Sequence, residues 1–291
     1  MEAENYGIEY LKKYQWGKEY GKYEDGCALL AAKALYDATG EESCFSFVKN
    51  YMDVFLPADG EIGNGLGEAF SADCVYNSRT LFFLYDKTGE EKYRKAFEAV
   101  MNCLRTYPRC ECGNFIYRKE QPEEILDALY RIQPFYMEYE TVYDKNEKYN
   151  DIIGQFENVQ KMICGEGETQ IRSMAQYMAA LVDTMDNMSI QIYEQYRKLQ
   201  DMFKQALTGI LGRRDDDMDV FGSAMTGYCI LKACRMGILL REKYVDKGME
   251  IVEKLTAKIG SPEKAAYSTE EICAVLMAYG QYLQTKKEMD A

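Results

Sequence analysis

Two aspartates lie where their residue type and their neighbours favour acid–base chemistry. Asp73 belongs to FSADCVYNSRTLFFLY and Asp127 to EEILDALYRIQPFYMEYE, and both have Ala, Leu or Cys neighbours where an outward helix face is usually charged. We therefore predict that both carboxylates point inward. Two carboxylates in a partly desolvated, aromatic-lined mouth can be pushed to different pKa values, so that one acts as a general acid while the other stays ionised. Sugar hydrolysis commonly uses that division of labour.

The other candidate residues are a guanidinium group and several aromatic rings. Arg172 starts a predicted helix with a small-residue face, which suits bidentate capture of a substrate carboxylate; an ion pair with Glu168 is the alternative. Aromatic side chains offer a flat apolar surface on which a sugar ring stacks, and three tyrosines are placed at the mouth: Tyr23, Tyr117 and Tyr177. Filling of helix–helix interfaces is the alternative for each tyrosine, and capping of a helix N-terminus is the alternative for Asp73.

The composition excludes several classes of function. The 291 residues include no histidine, which removes Ser-His-Asp, Cys-His and histidine–metal centres. The net charge of -13 and the pI near 4.8 argue against binding to nucleic acid or to an anionic membrane surface. No apolar run approaches the roughly 20 residues that cross a bilayer, and the polar N-terminal segment predicts a cytoplasmic protein.

Ten cysteines are scattered along the chain, several of them at apolar helix positions where thiols act as small buried hydrophobes. The tightest pair, Cys110 and Cys112, has C-x-C spacing with no second pair and no histidine nearby. That spacing does not indicate zinc.

Internal repetition organises the elements that must position these residues. LYDATGEESCFSFVKNYMD at Leu35 and LYDKTGEEKYRKAFEAVMN at Leu84 start 49 residues apart, and a weaker copy, TVYDKNEKYNDIIGQFENV, starts at Thr141. Each copy has the pattern of a helix end, a short polar turn and the start of the next helix, which predicts a helical hairpin. The chain has room for about six such hairpins, which must stack because one hairpin cannot bury both faces alone.

We predict an all-α fold, an (α/α)6 toroid of six helical hairpins that forms a single domain over residues 1–291. Long irregular loops gathered on one side of such a ring would form the floor of a pocket. The inner helices are predicted to begin near Tyr23, Asp73, Ile125, Ile171, Phe221 and Ser268.

Four segments, in this order, resemble glycoside hydrolase family 88/105, the unsaturated glucuronyl and rhamnogalacturonyl hydrolases: LFFLYDKTGEEKYRKA, PRCECGNFIYRKEQPEEILDALYRIQPFYMEYE, RSMAQYMAALVDTMD and GSAMTGYCILKACRMGIL. The resemblance implies a barrel that removes a 4,5-unsaturated uronic acid from the non-reducing end of an oligosaccharide, with no metal and no organic cofactor. It implies that Asp127 protonates the double bond before water adds at the neighbouring carbon, and that Asp73 positions the ring and the water. Arg172 and Tyr23 match an Arg and an aromatic residue of the family's sugar site.

The chain also departs from the family pattern. Before Arg172 the family carries an active-site His and a Trp-rich loop, where only MICGEGETQI stands here, and the Trp of the R-G-x-G-W segment is replaced by Gln176. Three hypotheses remain open: a divergent hydrolase of unsaturated uronyl oligosaccharides, a barrel that binds carbohydrate or protein without catalysis, and a different enzyme on the same toroid. A shortened loop would leave Phe115 and Tyr177 exposed at the mouth, which favours a homodimer.

Overall fold

A computed structural model describes residues 3–56, 62, 70–118, 121, 124–163, 171–212, 218–259 and 267–290. Helices dominate these ranges, whose β-type pairings are two isolated bridges, so the all-α prediction is confirmed. The helices are α1 (Ala3–Lys13), α2 (Tyr23–Thr39), α3 (Glu42–Phe55), α4 (Ala72–Ser78), α5 (Thr80–Thr88), α6 (Glu91–Arg105), α7 (Ile125–Val142), α8 (Tyr149–Ile163), α9 (Ile171–Asp186), α10 (Tyr193–Leu211), α11 (Val220–Arg235), α12 (Arg241–Ile259) and α13 (Thr269–Asp290). None of these described helices is long and apolar enough to cross a membrane.

The two strongest sequence repeats end their first helices in the same way. Gly40 follows α2 and Gly89 follows α5, with φ angles of 75° and 67° that glycine adopts at little steric cost. The preceding threonines, Thr39 and Thr88, each donate their hydroxyl to the carbonyl four residues earlier, at 2.7 Å, and accept a hydrogen bond from the second residue after them. The T-G-E-E turn therefore stops one helix and reverses the chain into the next.

Six helical segments, one of them made of α4 and α5 together, form a closed inner ring. α2, α4 with α5, α7, α9, α11 and α13 each contact the next, and α13 returns to contact α2. These helices begin at Tyr23, Ala72, Ile125, Ile171, Val220 and Thr269, each within one residue of the predicted start. Five further helices, α3, α6, α8, α10 and α12, each pack outside the inner helix that precedes them. The predicted (α/α)6 toroid is thus confirmed.

The sixth outer helix is α1, the first helix of the chain. It packs against α3, α12 and α13, which places it between the first and the last of the other outer helices. Gly7 permits this approach, because a Cβ atom there would lie 2.7 Å from the Leu276 side chain of α13. The sixth hairpin is therefore made from α13 and α1, a pairing that the repeats starting at Leu35 do not indicate.

A layer of three side chains fills the middle of the bore, which is the space inside the inner ring. Tyr76, Tyr130 and Met225 are at most 1% exposed, and the two tyrosine hydroxyls lie 3.1 Å apart. Gly26 of α2 lets Tyr76 come close, because a Cβ atom there would lie 2.4 Å from the Tyr76 ring. On one side of this layer lie the N-termini of the inner helices, called here the N-terminal end of the bore; on the other lie their C-termini, the C-terminal end.

Candidate active site

Asp73 is buried at the N-terminal end of the bore, where side chains take up both of its carboxylate oxygens. It is the second residue of α4 and 1% exposed. Its Oδ1 accepts a hydrogen bond from Arg131 Nε at 2.7 Å, while its Oδ2 accepts bonds from Arg118 Nη2 at 2.7 Å and from the Tyr117 hydroxyl at 2.9 Å. The side chain therefore bonds to other side chains rather than capping its own helix, and two cations neutralise its charge.

Asp127 lies in the first turn of α7 and is more exposed than Asp73. Its side chain is 37% exposed, and its Oδ1 accepts hydrogen bonds from Arg131 Nη1 at 2.6 Å and from Gln176 Nε2 at 3.2 Å. No described residue donates a hydrogen bond to its Oδ2. Asp127 is therefore held through one oxygen, and its other oxygen is available to carry or accept a proton.

Arg131 joins the two aspartates. One turn beyond Asp127 on α7, its side chain is 5% exposed, and the guanidinium carbon lies 4.3 Å from the ring centre of Tyr23 and 4.6 Å from that of Tyr117. Burial works against its charge, but Asp73, Tyr23, Asp127 and Tyr117 together outweigh this and raise the pKa of Arg131 above its ordinary value. The guanidinium therefore stays charged and fixes both carboxylates at the same end of the bore.

Arg172 anchors a second group of side chains at this end. It donates from Nη1 to Asp219 Oδ2 at 2.9 Å and from Nη2 to Glu270 Oε2, and it lies 4.1 Å from the ring centre of Phe221. The other oxygen of Glu270 accepts the Tyr23 hydroxyl at 2.6 Å. Two acids of the chain itself thus occupy the guanidinium that was expected to capture a substrate carboxylate. Glu168, the alternative partner, lies outside the described residues.

The three predicted tyrosines have different positions. Tyr23 and Tyr117 are at the N-terminal end of the bore on either side of Arg131, and burial raises the pKa of Tyr117 to about 12. Tyr177 is fully buried and donates its hydroxyl to the carbonyl of Phe156 on the outer helix α8, at 3.0 Å. Tyr177 is therefore removed from the candidate substrate-binding residues.

The basis of the homodimer hypothesis is wrong for the same reason. Phe115 is 3% exposed and Tyr177 is not exposed at all, so neither ring contributes to an apolar surface at the mouth. Within the ranges described above, no three side chains of His, Cys, Asp or Glu gather in a way that could hold a metal ion.

Several residues of this group were not predicted from the sequence, among them Arg118, Arg131 and Gln176. Arg131 is a single cation in the long apolar stretch of α7. Its position four residues after Asp127 is the spacing at which two helical side chains form an ion pair, and it could have indicated the contact. Gln176 stands where the resemblance expects a Trp, and it contacts Asp127 instead. All six inner helices or the residues immediately before them contribute to this end of the bore.

The toroid of helical hairpins carries paired carboxylates beside aromatic rings at the N-terminal end of its bore. The model of Glycosyl Hydrolase Family 88 matches residues 2–169, more than half of the chain. The protein belongs to this glycoside hydrolase family and is accordingly a glycoside hydrolase.

Solved structures show the same fold. A family 105 glycoside hydrolase from C. acetobutylicum superposes with a TM-score of 0.83 at 21% identity, covering 97% of this chain and 99% of that one. A family 88 glycosyl hydrolase from Bacteroides vulgatus gives a TM-score of 0.72 at 14% identity, covering 98% and 100%. An unsaturated glucuronyl hydrolase specific for heparin gives a TM-score of 0.71 at 11% identity, covering 98% and 96%.

Proposed function

We propose that this glycoside hydrolase removes an unsaturated uronyl residue from the non-reducing end of an oligosaccharide, by hydration of its 4,5 double bond with Asp127 as the proton donor. The observation that carries the proposal is the bridge of Arg131 between Asp73 and Asp127 at the N-terminal end of the bore. The names of related enzymes, among them an unsaturated glucuronyl hydrolase, support the substrate class.

In the proposed reaction, the exposed Asp127 gives its proton to C4 of the substrate double bond. Positive charge then develops at C5 and on the ring oxygen, and the oxygen of a water molecule bonds to C5. One proton of that water passes to Asp127 and restores its carboxyl group, while the other stays on the new hydroxyl at C5. The product at C5 is a hemiketal, whose C5–O5 bond breaks to leave a ketone at C5 and a hemiacetal at C1; the hemiacetal then expels the remaining sugar as an alcohol and becomes an aldehyde. No oxidant, metal or covalent enzyme intermediate is needed for this balance.

The neighbours of Asp127 suit this role because they bond to only one of its two carboxylate oxygens. Arg131 and Gln176 both donate to Oδ1, so they orient the group and stabilise the carboxylate that remains after the proton has left. Asp73 is too deeply buried and too fully bonded to donate a proton, and we assign it to positioning: it holds Arg131 and the hydroxyl of Tyr117 in place.

Recognition of the substrate carboxylate is assigned to Arg118 rather than Arg172. The Arg118 side chain is 47% exposed and uses only Nη2 in its bonds to Asp73 and Tyr117 among the described residues. Arg172 is 36% exposed and is already paired with two carboxylates. A guanidinium with unoccupied donors at the mouth is better placed to bind a carboxylate from solution.

The test uses unsaturated disaccharides prepared by lyase digestion of several polysaccharides. Turnover destroys the conjugated double bond, so its ultraviolet absorbance falls. We expect Asp127→Asn to lower the rate by roughly 10²–10⁴-fold, the contribution typical of a general acid. The control is Asp246→Asn, the same change at an exposed position of the outer helix α12. Full turnover by Asp127→Asn would contradict the assignment.

A barrel that binds such sugars without hydrating them is the second candidate. The ion pair between Asp127 and Arg131 favours it, because it engages one oxygen of the carboxyl group that must donate the proton. Calorimetric binding of the unsaturated disaccharides with no loss of absorbance at any pH would support this second candidate over the first.

A further inference from the structure

The loop between α6 and α7 brings two thiols together. The Sγ atoms of Cys110 and Cys112 lie 2.8 Å apart, and both cysteines are free. Cys112 is exposed and Cys110 is half-buried, whereas most of the other described cysteines are buried inside the toroid. A small reagent from solution can therefore reach this pair and few other thiols of the described chain.

The backbone that carries the two cysteines forms a hydrogen-bonded turn. The Gly113 N–H donates to the Cys110 carbonyl at 2.9 Å, and Gly113 has a φ of 91°, so residues 110–113 form a closed turn. The Cys110 N–H donates to the Asn114 carbonyl, also at 2.9 Å, and this bond holds the two arms of the loop together. Residues two apart in such a turn fall inside the roughly 4–7 Å Cα separation of disulfides, and a bond would shorten the 2.8 Å between the sulfurs to about 2.05 Å.

The surrounding loop is fixed to the outer helix α8 rather than free in solution. Arg109 pairs with Asp151, and Asn114 donates to the Gln155 carbonyl at 2.9 Å. Asn158 donates to the carbonyl of Cys112 at 2.8 Å. The fold therefore holds the turn, and the two thiols in it, close together at no further cost in chain entropy.

The same loop leads directly to the candidate active site. Tyr117 and Arg118 follow the cysteine turn and donate hydrogen bonds to the buried carboxylate of Asp73. The Tyr107 hydroxyl, at the start of the loop, donates to the Tyr117 carbonyl at 2.9 Å. A disulfide between Cys110 and Cys112 would therefore lie between the contacts to the outer helix α8 and the residues that bond to Asp73.

We propose that Cys110 and Cys112 are a modification site that forms a reversible disulfide by exchange with a small disulfide such as glutathione disulfide. The thiolate of Cys112 attacks one sulfur of glutathione disulfide, which forms a mixed disulfide and expels one glutathione thiolate. The thiolate of Cys110 then attacks Sγ of Cys112 and expels the second. Two electrons pass from the protein to glutathione, and the two cysteine protons end on the two glutathione thiols.

The chain offers a direct readout of this bond. Arg109 and Arg118 are trypsin sites, and the peptide between them, residues 110–118, contains both cysteines and no others. The whole folded protein is equilibrated with glutathione and glutathione disulfide at stepped ratios, alkylated under denaturing conditions and digested. We expect peptide 110–118 to become about 2 Da lighter and to escape alkylation in the oxidising buffers, and dithiothreitol to reverse both changes.

Variants separate an intramolecular disulfide from general oxidation. In Cys110→Ser we expect Cys112 to retain glutathione as a mixed disulfide, because no second thiol can displace it. Cys103→Ser, which removes a lone half-buried thiol of α6, is the matched control and should leave the oxidation of peptide 110–118 unchanged.

A synthetic peptide of residues 110–118 tests the contribution of the fold. If the folded loop holds the thiols together, the protein should be oxidised at a smaller proportion of glutathione disulfide than the free peptide. The proposal is overturned if peptide 110–118 from the folded protein stays fully alkylated in the most oxidising buffer, if its cysteines link to other molecules, or if the free peptide oxidises as readily as the protein.

Discussion

Both ends of the bore bury an aspartate between two cations and a tyrosine. At the N-terminal end, Asp73 accepts from Arg131, Arg118 and Tyr117. At the C-terminal end, beside a cavity of about 710 Å³, the corresponding acid is 2% exposed, and its bonds come from an arginine, a lysine and a tyrosine at 2.6–2.8 Å: Asp183, with Arg79, Lys232 and Tyr228. A buried cluster of this kind is therefore a requirement of charge pairing inside the ring and does not by itself mark a catalytic site.

In both clusters one cation joins two aspartates, and the clusters differ in what surrounds that cation. Arg131 joins Asp73 to Asp127 between two tyrosine rings, whereas Lys232 joins Asp183 to Asp186. The helix ends also differ, because the N-termini of the inner helices carry partial positive charge that favours an anionic sugar and the C-termini carry partial negative charge. We expect that only the N-terminal cluster takes part in catalysis. The following variants test this expectation.

The largest expected effect is that of Arg131→Met. It removes the cation shared by both aspartates, so we expect a loss of about 3–5 kcal/mol in the free energy of unfolding and at least about 100-fold in turnover of an unsaturated disaccharide. Lys232→Met should cost a similar amount of stability at the C-terminal end. Denaturant unfolding and absorbance assays at a temperature where both variants are folded provide the comparison.

Arg131→Lys keeps the test informative if Arg131→Met does not fold. Lysine retains the charge but cannot bond two carboxylates in the fork geometry of arginine, so stability should largely recover while turnover stays low. Equal loss of turnover in Arg131→Met and Lys232→Met would mean that the two ends do not differ in function.

The next effect concerns pH at the C-terminal end. Burial raises the pKa of Glu138, which lines the cavity, to about 7 from its ordinary value of 4.5. The folded state then binds more protons than the unfolded state between these pH values, so stability falls as the pH rises from about 4.5 to 7. Glu138→Gln should remove this dependence, gaining about 2 kcal/mol or less above pH 7 and nothing below pH 4.5.

Thermal unfolding across pH 4–8 measures the difference in stability between Glu138→Gln and the parent protein. Turnover should be the same in both proteins at each pH, because Glu138 lies eleven residues beyond Asp127 on α7, about 16 Å along the helix. A parallel pair of stability curves would contradict the assigned ionisation, and a change in turnover would connect the two ends.

The smallest effect distinguishes the two tyrosine hydroxyls. Tyr117→Phe and Tyr228→Phe each remove one hydrogen bond to a buried aspartate, and each should cost about 1 kcal/mol of stability. Only Tyr117→Phe should also lower turnover, because its partner Asp73 holds Arg131. A lower rate in Tyr228→Phe alone would reverse the assignment of the two ends.

The sequence predicts the inner ring well because the start of each helix depends on residues close to it in the chain. Each inner helix begins where helical periodicity begins in the sequence, and all six observed starts are within one residue of the predicted ones. The predicted single domain over residues 1–291 stays a prediction. The role of α1 was not predicted, because it closes the ring against helices more than two hundred residues later, and no repeat in the sequence records that contact.

The candidate site was predicted less completely because it depends on which way each side chain faces. Successive residues of a helix point about 100° apart, so Gln176 reaches Asp127 while Tyr177, the next residue, faces the outer helix α8. Prediction of Arg131 as a site residue would have required the direction in which its side chain faces on α7. The two aspartates were found because an acid among apolar neighbours must be buried or functional, and this argument needs no rotation angle.

The pairing of α13 with α1 and α2 has a consequence during synthesis. Ribosomes release the inner helices in order, and the ring cannot close until α13 has emerged, since it contacts both α11 and α2. Until then the apolar faces of α2 and α11 form two uncovered edges on the nascent chain. Such long-range closure slows folding and exposes the intermediate to aggregation, so efficient production depends on protection of these edges until the last helix arrives.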